Sequence, residues 1–300
     1  MGPVIFAPMN VKKKFARKEC ARAALALLLG PLALAAAPAA PPERNVDGIL
    51  DNSFLVEEAY NQEAGVVQHI FTARYGLDRQ PGPDHASWEL AFTQEWPLLS
   101  QKHQLSYTVP YSFERGGGQS DDGWGDVQLN YRYQVYLDEE KLRGFAPRLS
   151  LILPTGNASR GFGEDTLGYQ LNLPFSTALG DQAFVHLNAG TTFLPDAASA
   201  GGRDLWHFNL GASVIYAVTP DLHFLVEWIG EWNELPQSGG GSLRHEFASV
   251  ISPGLRKAFN FQHGFQVVAG VAVPIGLTGG APDFGVFLYL SFEHSFIRNK

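Results

Sequence analysis

The 300-residue chain contains one cysteine and 2 methionines. A single thiol excludes an intramolecular disulfide framework and any Cys-rich metal centre. After the first forty residues no long apolar run remains, and the mean hydropathy is -0.08, which rules out a polytopic helical membrane protein. There is no Walker loop, no HExxH and no GxSxG, so the common phosphate, zinc-peptidase and hydrolase chemistries have no sequence foothold. What the chain does have is 32 Gly, 21 Phe, 10 Tyr and 6 Trp, with 45% hydrophobic residues, too apolar for disorder. Many aromatics and many glycines suggest short strands joined by turns.

The N-terminus reads as an address. Residues 12–22, KKKFARKECAR, are followed by an Ala/Leu run from Ala23 to Ala37. A basic segment, a short apolar stretch and then small residues form a secretory signal, and the run is too short to span a bilayer. Ala33-Leu34-Ala35 is the best cleavage site, so residues 1–35 are expected to leave, taking Cys20 with them; Met9 is an alternative start. Six of the 22 basic residues and one of the 30 acidic ones go with the signal, leaving 16 against 29, or -13. An acidic exported chain does not suit nucleic acid, whose binding begins with phosphate neutralisation.

The body alternates. In Asp126 to Leu137, DVQLNYRYQVYL, Val127, Leu129, Tyr131, Tyr133, Val135 and Leu137 share one face, and Gln128, Asn130, Arg132 and Gln134 share the other. Period two is the signature of a strand with one oily and one wet side. Twelve such segments occur, near 66–75, 87–96, 103–114, 125–137, 146–154, 166–176, 183–193, 204–217, 222–232, 245–256, 264–275 and 284–296. Short connections alternate with long Gly/Asp-rich ones, such as RGGGQSDDG and GNASRGFGED. The pattern predicts an all-β fold, a transmembrane antiparallel up-and-down β-barrel of about twelve strands over residues 66–296, with a tail at 297–300. Short turns would face the periplasm, so both termini are expected there. A soluble β-protein also alternates, but an aromatic girdle favours the membrane. Trp206 and Tyr216 share a face about 33 Å apart along a strand, which a tilt of roughly 40° converts to the ~25 Å height of a lipid-facing band. Trp88, Trp96, Trp228 and Trp232 are the other girdle candidates. Leu288, Leu290, Phe292 and Phe296 resemble the C-terminal strand read by barrel-assembly machinery, although Ile297-Arg298-Asn299-Lys300 continues past the aromatic. Pro110, Pro154, Pro174, Pro253 and Pro274 are expected at bulges or strand ends, since each lacks a ladder donor.

Residues 36–65 precede the barrel. Asp51 or Ser53 is placed to cap a short helix through Gln62, with Phe54, Leu55, Glu58 and Ala59 at helical spacing. A solvated lead-in is the default reading of such a segment; a plug or a periplasmic docking element is the functional one.

Catalytic and metal readings are weak. His186, His207 and His223 face inward on consecutive strands, but alternating strand direction puts His207 at the opposite end, so no metal site is expected. The Gly/Asp run 121–126 reads as a turn rather than a cation loop. His207, Asn209 and Ser213 are too spread on a wet face for a nucleophile and its base, which argues against an outer-membrane lipid-modifying enzyme. No cofactor is expected. The inward charges are more informative: Glu89, Glu231, Arg148, Arg132 and Glu227 are the lumen candidates. Arg132 and Glu227 sit near mid-strand on the fourth and ninth segments, almost opposite one another around a ring of twelve, an arrangement that would set a transverse field on a passing solute.

The stretches GWGDVQLNYRYQ, LPTG, GFGEDTLGYQLNLP and HLNAG resemble a family of outer-membrane transporters named after the meta-pathway of phenol degradation. The resemblance runs from about Gly65 to Phe296 and implies an outer-membrane barrel for passive uptake of small molecules, aromatic ones among them. Its partners would be outer-membrane lipid, the assembly machinery and small solutes; a closed barrel with a structural or docking role is the alternative.

Overall fold

In the computed structural model, residues 53–79, 85–237, 242–261 and 265–295 are described. The signal sequence, the cleavage site and Phe296 lie outside them. The chain forms a closed twelve-stranded antiparallel β-barrel. In order the strands are β1 (Val66–Asp78), β2 (His85–Leu98) and β3 (Ser100–Gly116). Next come β4 (Gln119–Trp124, Val127–Tyr133 and Tyr136–Asp138) and β5 (Arg143–Phe145 and Arg148–Leu153). They are followed by β6 (Gly168–Asn172 and Phe175–Leu179) and β7 (Ala183–Ala197). Then come β8 (Arg203–Thr219), β9 (Leu222–Pro236) and β10 (Leu243–Asn260). The last are β11 (Gln266–Ala272 and Ile275–Gly276) and β12 (Phe284–Ser295). Each strand pairs with its sequence neighbour, and β12 returns to β1 in a register that includes Phe71 opposite Leu290. Closure removes the unpaired edge that an open sheet of this length would expose.

The two faces sort as the alternation predicts. Along β5 and β6, Leu149, Leu151, Tyr169 and Leu171 are exposed on the outside, while Arg148, Ser150, Gln170 and Asn172 are buried in the lumen. Polar groups inside and apolar groups outside are the reverse of a water-soluble barrel, and they match a wall in contact with lipid. The prolines break the ladder where a donor is missing. Pro174 and Pro274 separate the halves of β6 and β11, and Pro154 follows the end of β5. Pro110 and Pro253 lie inside continuous strands, and their carbonyls accept from Gly125 and Val273 at the interruptions of the neighbouring strands.

One long connection is absent. Residues RGGGQSDDG form no loop: β3 and β4 continue and meet in a two-residue turn, Gly117-Gly118, with φ of 58° and 78°. Two successive left-handed residues make the tight hairpin that matches strand twist, and glycine adopts them at little cost. At the other end, β2 turns into β3 through Leu99 alone, also left-handed.

The girdle candidates divide between the two rims, with one exception. Trp88 packs on Tyr75, Trp206 on Phe193 and Trp232 on Phe247 toward the long-loop end. Trp96 meets Tyr107, and Tyr216 stands opposite Ala183, toward the short-turn end. Trp228, expected in a girdle, instead lies midway along β9 between Ala212 and Ile251. It has a local task there: its ring covers Gly230, which has no side chain, and its Nε1 donates to Ser249 Oγ at 2.9 Å. Leu288 and Leu290 face outward on β12, and Phe292 stacks on His69 across the closing seam.

Candidate functional site

The lumen is occupied by the chain's own N-terminal segment. Residues 53–62 form no helix, correcting the expectation from spacing; they run irregularly through the barrel before a turn leads into β1. The reason lies in where the hydrogen bonds go. A helix would satisfy its N–H groups internally, whereas here they find lumen side chains. The N–H groups of Phe54, Leu55 and Val56 converge on Glu227 Oε1 at 3.1, 2.9 and 3.0 Å. Glu57 N donates to Asn188 Oδ1, Ala59 N to Ser176 Oγ, Asn61 N to Gln134 Oε1 and Gln62 N to Gln104 Oε1. The acceptors sit on β9, β7, β6, β4 and β3 in turn, so the segment sweeps half of the ring.

Primary amides act as surrogate peptide groups along this path. Asn188 accepts from Glu57 N and returns a 2.7 Å bond to Glu57 O. Gln134 accepts from Asn61 N and donates to Ala59 O at 2.8 Å. An amide offers the same donor and acceptor pair as a neighbouring strand, but from a side chain. Among the described residues, no backbone-to-backbone bond joins residues 53–62 to a barrel strand.

Electrostatics fix the centre of the segment. Glu57 is buried between two guanidinium groups: Arg148 Nε lies 2.9 Å from its Oε2, and Arg132 Nη1 lies 3.3 Å from its Oε1. Asn172 Nδ2 adds a third donor. Burial alone would raise the Glu57 carboxyl; positive charge, that of Arg148 foremost with Arg132 and the Asn172 hydrogen bond contributing, outweighs burial and holds it well below the ordinary value. Arg132 is shared more widely, with Glu58 at 3.6 Å, Glu95 at 3.9 Å and the carbonyls of Glu58 and Tyr60. Arg148 pairs with no other carboxylate among the described ion pairs.

The apolar anchor is Phe54, fully buried against the wall made by β1 and β8 to β12. Its ring lies 5.5 Å from that of Phe287 and 5.3 Å from that of Tyr289, with Ile70, Leu225 and Val268 around it. Glycines make the niche: a Cβ on Gly270 would stand 2.3 Å from Phe54 Cζ, and one on Gly254 would stand 2.9 Å from its Cε2. The facing wall, β2 to β7, is the polar one that holds Glu57.

Of the five lumen candidates, the segment brings together Arg132, Arg148 and Glu227. Arg132 and Glu227 do not face each other across an open bore; each is engaged by the chain between them. Glu231 is buried four residues further along β9, and Glu89 is held by Arg74 at 2.7 Å on the neighbouring strand, away from the segment. Ser213 contacts Ser53, Oγ to Oγ, at 2.5 Å, and His207 stands near the other end of β8, opposite Asn233. His186 bonds Ser176 and His223 bonds the Pro220 carbonyl. Sequence reasoning missed Phe54 and Glu57. The usable signal was charge: an acidic pair, Glu57-Glu58, precedes a barrel whose fourth and fifth strands carry inward arginines.

At the long-loop end, Asp126 organises the connection from β5 to β6. Its Oδ1 accepts from Gly156 N at 2.8 Å and its Oδ2 from Glu164 N at 2.9 Å. Phe162 is buried against Gly123, and a Cβ on Gly156 would meet the Phe162 carbonyl oxygen at 2.0 Å. Glu164 then reaches the next loop, accepting from Ser199 N at 3.1 Å. Burial raises its carboxyl above the ordinary value, against the pull of that hydrogen bond. An apolar cluster of Ile152, Leu194, Ala197, Ala200 and Leu205 lies beneath.

No family model matches the sequence, and no curated protein does. Solved structures do. An outer membrane channel from Pseudomonas putida F1 superposes with a TM-score of 0.60 at 16% identity, covering 79% of this chain and 98% of that one. The NanC porin (TM-score 0.45, 11% identity, 77% of this chain and 100% of that one) is a looser likeness. So is the CymD monoaromatic hydrocarbon channel (TM-score 0.40, 10% identity, 79% and 90%). At these identities the likeness concerns the barrel fold alone.

Proposed function

We propose that the protein is a channel for passive uptake of small molecules across the bacterial outer membrane, closed at rest by residues 53–62. The observation that carries this reading is the way the segment is held. Among the described residues, side chains supply the bonds from the barrel to its backbone, so it can leave without breaking a rung of the ladder. A permanent core would gain by pairing with a strand. The wet lumen that remains is lined by Asn, Gln, Ser, Glu and Arg, groups that water and polar solutes can solvate in turn.

In this reading residues 1–35 direct export, the short turns and the segment face the periplasm, and the assembly machinery inserts the barrel through the β12 strand. Outer-membrane lipid meets the aromatic rims. Aromatic compounds are included among the solutes, in keeping with the resemblance to the phenol meta-pathway transporters. The protein performs no chemistry on them.

A cross-link tests the closure. Ser53 and Ser213 touch through their Oγ atoms, and the mature chain has no cysteine of its own, so Ser53→Cys with Ser213→Cys creates one defined pair. In planar bilayers the oxidised protein should be silent, and a reductant should switch on current steps. Equal silence before and after reduction favours the closed structural barrel; equal current in both states removes the segment from the conduction path.

A further inference from the structure

The contacts of Phe54 describe a ligand. Its ring fills an apolar niche bounded by Phe287 and Tyr289 and floored by Gly254 and Gly270. Its backbone nitrogen, joined to the ring through Cα and Cβ, donates to Glu227 Oε1 at 3.1 Å. Nitrogen, two carbons and an aromatic ring are the skeleton of an arylethylamine. The carboxylate has room for more than one donor: Oε1 accepts three N–H groups from the segment, and Oε2 is buried with no hydrogen-bond partner. Glu227 is fully buried and joins none of the ion pairs among the described residues, so its charge has dipoles but no cation opposite. A buried carboxylate gains most from a cation that also brings hydrogen bonds.

We infer that the Phe54 niche and Glu227 together form a binding site for arylalkyl ammonium solutes, which the N-terminal segment occupies as an internal stand-in. The inference rests on the channel reading, because a solute must reach the lumen for the site to matter. Ligand and segment then compete: the ring of the solute replaces that of Phe54, and its ammonium takes the place of the Phe54 N–H at Glu227. The solute adds the positive charge that the segment lacks at this point. Neutral aromatics fill the niche but leave Glu227 without donors, and arylcarboxylates place two negative charges together.

Calorimetric titration of the detergent-solubilised full chain with 2-phenylethylammonium tests the site without reading transport. Phe54→Ala empties the niche and should tighten binding at least tenfold relative to the unaltered chain. Adding Glu227→Gln to that variant should lose at least tenfold, and phenylacetate should bind to neither. Heat-modifiable gel migration checks that each variant is folded. Phe54→Leu, a milder truncation, should give an intermediate affinity if the alanine variant does not assemble. Phenylacetate binding as well as the amine, or no gain on shortening Phe54 in either variant, overturns the assignment. Binding that persists in a protein silent in bilayers would retire the channel reading and keep the site; current without binding does the opposite.

Discussion

Glu57→Gln is the sharpest perturbation of the closed state. The substitution keeps the shape and removes the charge that two buried guanidinium groups share. Relative to an undocked, solvated carboxyl, whose ordinary value is 4.5, the docked Glu57 is held at about 2. Within that depression, the charge-assisted hydrogen bonds from Arg148, Arg132 and Asn172 contribute about 1.5–3 kcal/mol of docking free energy at neutral pH. Losing it lowers the ratio of docked to undocked segment by roughly 10–10²-fold. The loss falls mainly on Arg148, because Arg132 retains Glu58 and Glu95. Single-channel recording should therefore show a large rise in open probability for Glu57→Gln at pH 7, with unaltered gel mobility of the barrel. Replacing Arg148 by Gln in the same chain should recover part of the closed population, since the remaining defect is an unpaired buried cation. The pH dependence follows from the sign of the shift. A depressed carboxyl stabilises the docked state above its free value and loses that contribution as pH falls toward the docked one. Closure through Glu57 should thus be flat from pH 7 to pH 5 and weaken between pH 4.5 and pH 2. The Gln variant should lack that response. Unchanged open probability in Glu57→Gln, or a wild-type pH response preserved in it, would refute the argument that this ion cluster holds the segment.

Three further outcomes are expected. Phe54→Ala removes a fully buried ring and should weaken docking by about 3–5 kcal/mol, seen as persistent current in bilayers and faster protease cleavage near residue 54. Gly270→Val puts side-chain carbon where the Phe54 ring lies and should open the wild-type channel; combined with Phe54→Ala it should cost little more, a non-additivity readable in the same recordings. Asp126→Asn keeps one acceptor but offers an N–H₂ to the other donor, weakening the β5–β6 connection by about 1.5–3 kcal/mol; limited proteolysis should cut within residues 154–167 sooner, with the barrel intact.

The barrel was legible because each strand carries its own evidence. In DVQLNYRYQVYL every second side chain declares its face, and twelve such segments leave few other architectures. The failures also have local causes. RGGGQSDDG has the composition of a loop, but two left-handed glycines are enough for a hairpin, and the flanking residues remain in the ladder. Trp228 shares its face with rim aromatics, and only the register with Ala212 and Ile251 reveals that it sits at mid-height. In residues 53–62 the spacing suits a helix, yet local propensity is weak in a short segment, and the lumen offers an amide or carboxylate to its N–H groups.

The sequence by itself determined the wall: strand number, which side chains meet lipid and which meet the lumen, and the placing of Arg132 and Glu227 on distant strands. Those follow from period two, a property of neighbouring residues. Only the tertiary structure decided what fills the lumen, because Glu57 and Arg148 or Phe54 and Gly270 are far apart in the chain and no local pattern relates them. One chain segment placed between Arg132 and Glu227 turned two opposed charges into the two ends of a closure.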